Sequence, residues 1–153
     1  MNHYSSSDYP FSKSIGHYLN RADLLKNHLL DHYLAPLDIS AAQCRVLIYI
    51  GYEKANTPAE LCRELSIDSG SMTRMLDRLE NKGLLVRSPC PQDRRRVRLA
   101  LSAEGQLICE QTPQLIANAM NDLASGLSHD ELVCLNGLLE KMLLPHQTVA
   151  AGE

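Results

Sequence analysis

The stretch Thr57–Leu101 constrains this chain most, because the spacing of its apolar residues changes from that of helices to that of a strand. Thr57, Pro58 and Glu60 form a helix start: a capping threonine, a proline suited to the first helical position and a capping-box acid three residues on. Leu61 and Leu65 then lie on one face. Ser66 to Gly70 break the pattern, and Asp68 or Ser69 can cap a second helix. That helix runs to Lys82 and stops at Gly83, with Met72, Met75, Leu76 and Leu79 as its apolar stripe. Leu84, Leu85 and Val86 continue extended. Val97, Leu99 and Leu101 alternate with Arg96, Arg98 and Ala100, the period of a strand with one buried face. The intervening Ser88–Arg96 is too rich in proline for a helix and carries three adjacent arginines. Helix, turn, helix and a hairpin with a basic tip make a winged helix-turn-helix. Ser71, Thr73, Arg74, Asp77 and Arg78 point away from the stripe, and small hydroxyls with arginines suit the major groove of DNA.

Charge is segregated in the same place. Arg74 to Arg98 holds eight basic and three acidic residues, a net of +5 in a chain of net −3. A local positive field in an acidic protein suits phosphate contacts. The bland alternative is a solvated charged surface; the helix–strand–loop–strand context favours the nucleic-acid reading.

The flanking segments are helical. Ile15, Tyr18, Leu19, Ala22, Leu25 and Leu29 recur at helical spacing before Pro36, and Leu24, Leu30 and Leu34 widen the apolar surface. Ser40–Gln43 and Ser128–Glu131 are two further capping boxes. Ser102 opens a helix carrying Leu107, Ile108, Leu115, Ile116, Ala119, Met120 and Leu123, and Pro113 predicts a kink near Thr112. A last helix carries Leu132, Leu135, Leu138, Leu139, Met142 and Leu143. The terminal helices hold more leucine than a small winged-helix core can cover, so a second copy of the chain is the expected partner. The fold expectation is mainly α (α+β). A helical dimerisation region comprises 12–36 and 103–145, a DNA-binding lobe comprises 37–102, and 1–11 and 146–153 are flexible tails.

Other classes find little support. No apolar run reaches about 18 residues, so no membrane span is expected. The start of the chain has no signal-like apolar run, which points to the cytoplasm. There is no Gly-rich phosphate loop, no metalloprotease or nucleophile-elbow motif, and no enzyme or cofactor is expected. Five scattered cysteines form neither a disulfide framework nor a zinc motif. Cys44, Cys62 and Cys134 read as buried thiols, and Cys90 as the exposed one, with oxidant sensing as its possible role. His28 and His32, four apart, read as surface histidines rather than half of a metal site; no metal is expected.

Three segments carry a resemblance: Tyr33–Gln43, Leu65–Leu79 and Asp93–Arg95. Over about residues 12 to 145 the chain resembles the MarR family, the multiple antibiotic resistance regulators. The resemblance implies a homodimeric winged helix-turn-helix that binds a pseudo-palindromic DNA operator. Such regulators are usually repressors, and many are released by small phenolic or lipophilic anions. It implies a recognition helix over 69–82 in which Ser69, Ser71, Thr73, Arg74 and Arg78 face DNA. Arg95, flanked by Arg94 and Arg96, is then the wing cation. Pro58, Thr73, Arg78 and Arg87 match positions that resemble the family's aromatic-carboxylate site. Arg87 reads equally well as a structural ion pair with Asp77 or Glu80. Asn81 stands where some relatives carry a cysteine, and no cysteine precedes Cys44, so small-molecule sensing is favoured over thiol or copper sensing. The alternatives kept open are a thiol- or metal-responsive regulator of the same fold and a winged-helix protein-interaction module without DNA binding.

Overall fold

Each α-helix among the described residues begins on a side chain that accepts a hydrogen bond from its own first turn. In the computed structural model, which describes residues 3–7, 9–90 and 96–146, six helices and one hairpin follow in order. Helix α1 spans Ile15–Leu34, α2 Ala41–Gly51, α3 Pro58–Leu65 and α4 Ser69–Asn81. Strands β1 (Leu85–Pro89) and β2 (Val97–Leu101) precede α5 (Ala103–Leu123) and α6 (His129–Leu143). All three predicted capping boxes are formed, at Ser40/Gln43, Thr57/Glu60 and Ser128/Glu131. Asp68, not Ser69, caps α4, accepting from the Ser71 amide at 2.9 Å. Helix α4 ends in a Schellman motif: Gly83 takes φ 72°, its amide bonds Glu80, and the Leu84 amide returns to the Leu79 carbonyl.

The hairpin is antiparallel, with Leu85 opposite Leu101 and Pro89 opposite Val97. Its Leu99 amide also donates to the Asn56 carbonyl at 2.8 Å, tying the α2–α3 connection to β2. Leu99 is buried, but Val97 is 39% exposed, so the expected inward alternation fails nearest the tip. Gly105 lets α5 begin directly on the neck of the wing. A Cβ there would lie 2.0 Å from the Leu84 carbonyl oxygen, so no other residue fits without movement.

One core joins these elements. Leu34 from α1, Val46 and Leu47 from α2, Leu61 from α3, Met72, Leu76 and Leu79 from α4, Leu85 and Leu99 from the hairpin and Ile108 from α5 form a single buried cluster. Helix α1 packs along α5, and the Tyr33 hydroxyl donates to Asp122 at 2.6 Å between them. Asp31 of α1 accepts the Ala41 amide at 2.6 Å, which fixes the start of α2 to α1.

Helix α5 runs on through Pro113, the position beside which a kink is expected. Proline at 113 cannot donate to the Cys109 carbonyl four residues earlier. The Thr112 hydroxyl, 1% exposed, donates to that oxygen at 2.8 Å and takes the missing amide's place. Cys134 is exposed and Cys62 half-buried, while Cys90 is half-buried rather than the exposed thiol. Cys134 lies on α6, which has no buried residue at all, so its helical setting does not bring burial. Before α1, Tyr4, Tyr9 and Phe11 pack edge to face, and the Tyr4 hydroxyl accepts from the Ile15 amide at 3.0 Å. Residues 147–153 lie outside the described residues.

Candidate nucleic-acid interface

Helix α4 has one buried face, one half-buried flank and two exposed sides, set by residue spacing. Met72, Leu76 and Leu79 are 0–1% exposed and press into the core. Arg74 stands opposite them, at the crest. Ser71, Met75 and Arg78, spaced four and three, form one flank; Thr73, Asp77 and Glu80, with the same spacing, form the other. The sequence-predicted residues Ser69, Ser71, Thr73, Arg74 and Arg78 therefore all lie off the buried face, but not side by side.

The first turn is preorganised by hydrogen bonds. Amide donation from Ser71 holds the Asp68 carboxyl below the usual carboxylate range, so the cap stays charged. Arg74 donates from Nη2 to Ser71 Oγ at 3.1 Å, which steadies the guanidinium along the helix. The Thr73 hydroxyl donates to the Ser69 carbonyl at 2.8 Å. A helix N-terminus with small hydroxyls and a steadied arginine presents donors to phosphates and base edges.

The charges on this surface are not equal. Arg87, on β1, bonds Asp77 at 2.7 Å and Glu80 at 3.3 Å. Lys82, at the end of α4, reaches both the Asp38 carbonyl and, at 3.0 Å, the Asp38 carboxylate. Arg78, Arg96 and Arg98 form no ion pair among the described residues. Among the described residues, Arg74, Arg78, Arg96 and Arg98 are thus left without an ion pair, while Arg87 and Lys82 fasten parts of the lobe together. The Lys82–Asp38 contact spans 44 residues and has no signature in the sequence. Asp38 adopts φ 52°, in the left-handed region, between α1 and α2.

At the wing, the Cys90 amide donates to the Arg96 carbonyl at 2.8 Å and closes the neck of the loop. Arg96 is exposed. Arg94 and Arg95, the other two expected wing contacts, lie outside the described residues.

The four residues expected around an aromatic carboxylate are divided by α4. Arg78 lines a groove of about 260 Å³ against the start of α2, with Ser40, Gln43, Ser71 and Met75. Arg87 and Thr73 belong to the opposite flank, next to the wing, and Pro58 is half-buried at the first turn of α3. Both readings of Arg87 bear on this flank, since the ion pair with Asp77 and Glu80 is formed. Among the described residues no group of three His, Cys, Asp or Glu side chains could hold a metal, and no helix is long and apolar enough to cross a membrane.

Known proteins share this arrangement. The MarR family model matches residues 37–96, the helix-turn-helix and most of the wing. The multiple antibiotic resistance protein MarR of Escherichia coli K12 is 43% identical over 130 residues, which are 84% of this chain and 90% of that protein. Its Salmonella typhimurium counterpart is 42% identical over the same share. A mutant E. coli MarR complexed with operator DNA superposes with a TM-score of 0.79 at 42% identity, covering 89% of this chain and 99% of that one. A more distant structure, BpsR of Bordetella bronchiseptica, whose DNA binding is regulated by 6-hydroxynicotinic acid, gives a TM-score of 0.78 at 27% identity, over 88% and 96% of the two chains. With the exposed face of α4, the basic wing neck and this likeness in agreement, the chain belongs to the MarR family and is a DNA-binding transcriptional regulator with a winged-helix fold.

Proposed function

We propose that the protein acts as a homodimeric repressor. Two copies of α4 enter successive major grooves of a pseudo-palindromic operator, with half-sites about one helical turn apart. Residues 12–36 and 103–145 form the dimerisation region and 37–102 the reading lobe. The observation that carries this reading is the bare apolar surface of the outer helices beside a lobe whose core is already closed within the chain. Leu24, Leu25, Leu135 and Leu138 are 42–60% exposed in the single chain, and α6 buries nothing. An E. coli relative has been captured on operator DNA, which supports the placement of α4.

Within each lobe, Arg74 reads a base edge, while Ser69, Ser71, Thr73 and Arg78 contact phosphates or bases nearby. Arg94, Arg95 and Arg96 lie along the backbone at the wing. A small aromatic or phenolic anion, of the class that regulates BpsR, binds beside α4 and favours a conformation that misfits the operator. Arg87 receives its carboxylate through two parallel hydrogen bonds, with Thr73 and Pro58 beside it, and Arg78 serves the opposite flank.

Mobility-shift titration of Arg74→Ala and Arg95→Ala across a salt series tests the DNA reading. Arg74→Ala is expected to cost about 1–3 kcal/mol and to relax specificity at one operator position. Arg95→Ala is expected to weaken binding on all sequences and lower the salt slope by about one. Equal losses on operator and random DNA for Arg74→Ala would remove it from base reading.

A further inference from the structure

Arg87 is the junction between the wing and the recognition helix. It leaves β1 opposite Leu99 of β2 and meets the flank of α4 formed by Thr73, Asp77 and Glu80. Its Nη2 donates to Asp77 Oδ1 at 2.7 Å, and its Nη1 lies 3.3 Å from Glu80 Oε2. Both acids come from the same helix, three residues apart, so the guanidinium spans them as a clasp. The local charge is one positive and two negative, a net of −1. An incoming anion therefore meets a cation that is already over-neutralised. It also meets a fork with one terminal nitrogen hydrogen-bonded to Asp77 and the other facing Glu80.

We infer that Asp77 and Glu80 are built-in competitors of the anionic effector. The effector's carboxylate gains Arg87 only by displacing these side chains, and that displacement unfastens the wing from the recognition helix. This rests on the reading above in which Arg87 receives the effector's carboxylate. It supplies the differential interaction that a population shift requires: the clasp is closed in the DNA-competent form and open in the liganded one. Linkage then makes DNA and effector oppose each other by the same factor. Opening the clasp also leaves two carboxylates on α4 without their cation, close to where phosphates must lie. Effector binding thus both loosens the wing and makes the flank more negative.

Calorimetric titration with salicylate of the wild type, Arg87→Ala, Glu80→Gln and Glu80→Asp tests this, with operator affinity measured on the same samples. Glu80→Gln is expected to bind salicylate about two- to fivefold more tightly, the range for loss of an exposed ion-pair competitor. Glu80→Asp keeps the charge but retracts the carboxylate, and is expected to tighten binding in the same direction. Arg87→Ala is expected to abolish the heat. If Arg87→Ala binds as the wild type does, the effector-site reading itself falls. If Arg87→Ala loses binding while Glu80→Gln keeps the wild-type affinity, the site stands and the competition is overturned. If Glu80→Gln tightens binding and Glu80→Asp does not, the effect is one of overall charge and the competition is again overturned.

Discussion

The reading lobe and the outer helices use leucine in opposite ways. In residues 41–101, Leu47, Leu61, Leu76, Leu79, Leu85 and Leu99 are all 4% exposed or less and interlock across five elements. In α6, Leu135 and Leu138 are 42% and 60% exposed and no residue is buried. The periodicity of the two regions is alike, and only the presence of a partner differs. An amphipathic pattern states that a face must be covered; it does not state by what. The lobe finds its cover within the chain. Helix α6 does not, and α1 is covered along α5 and at its end by α2, while Leu24 and Leu25 remain exposed.

The largest effect that sharpens this contrast is expected in the core. Leu79→Ala, at a fully buried position on the inner face of α4, should cost about 2–5 kcal/mol in urea unfolding, because the cavity is enclosed on all sides. A loss below about 1 kcal/mol would mean that the lobe is loosely packed. Next is Leu138→Asp. If a second copy covers α6, two buried carboxylates per dimer should weaken association about a hundredfold, near 2.7 kcal/mol, read by sedimentation equilibrium. An unchanged mass at all concentrations would undercut the homodimer. Smaller still is Thr112→Val, which keeps the shape and deletes the hydroxyl. The Cys109 carbonyl then loses its substitute donor beside Pro113, with an expected cost of about 1–2 kcal/mol in the same unfolding assay. Retained stability would show that water serves that carbonyl equally well.

The smallest effect at neutral pH lies with Cys44, where α2 meets α5. Burial, then the neighbouring Cys109 thiol, push the Cys44 thiol up to about 11. An unfolded cysteine ionises near about 8.5. Between those values the unfolded chain has released a proton that the folded chain retains, so stability falls as pH rises through that window. Below it both states are protonated and nothing changes. The difference in unfolding free energy between the wild type and Cys44→Ala is expected to be constant to about pH 8 and to narrow toward pH 11. A constant difference throughout would show the thiol to be solvated in the native state.

Much of the fold was legible because its signals are local. Ser40, Thr57 and Ser128 each sit three residues before a Gln or Glu, and all three boxes form. The passage from three-and-four spacing to alternation marked where α4 gives way to the hairpin. The residues of the candidate interface were legible as types on one helix, and their division between two flanks follows from the same spacing once the buried face is known. What the sequence could not indicate depends on chain paths meeting. The Lys82–Asp38 contact joins the end of α4 to the α1–α2 turn, and the close approach of Gly105 to Leu84 depends on how α5 docks on the wing. The accommodation of Pro113 inside α5 has a related origin. The proline's cost is local, but the hydroxyl that offsets it is held by the packing that buries Thr112.

By itself, the sequence determined which segments are helix or strand, where they start and stop, and which face of each is apolar. These rest on hydrogen bonds and side-chain spacings within a few residues. The tertiary structure decided which cations, among the described residues, are held in ion pairs and which are not. It also decided that Arg87 is held by two carboxylates, and that α6 stays bare. Those outcomes depend on distances between segments far apart in the chain, and electrostatic and packing energies change steeply over a few ångströms that no local pattern encodes.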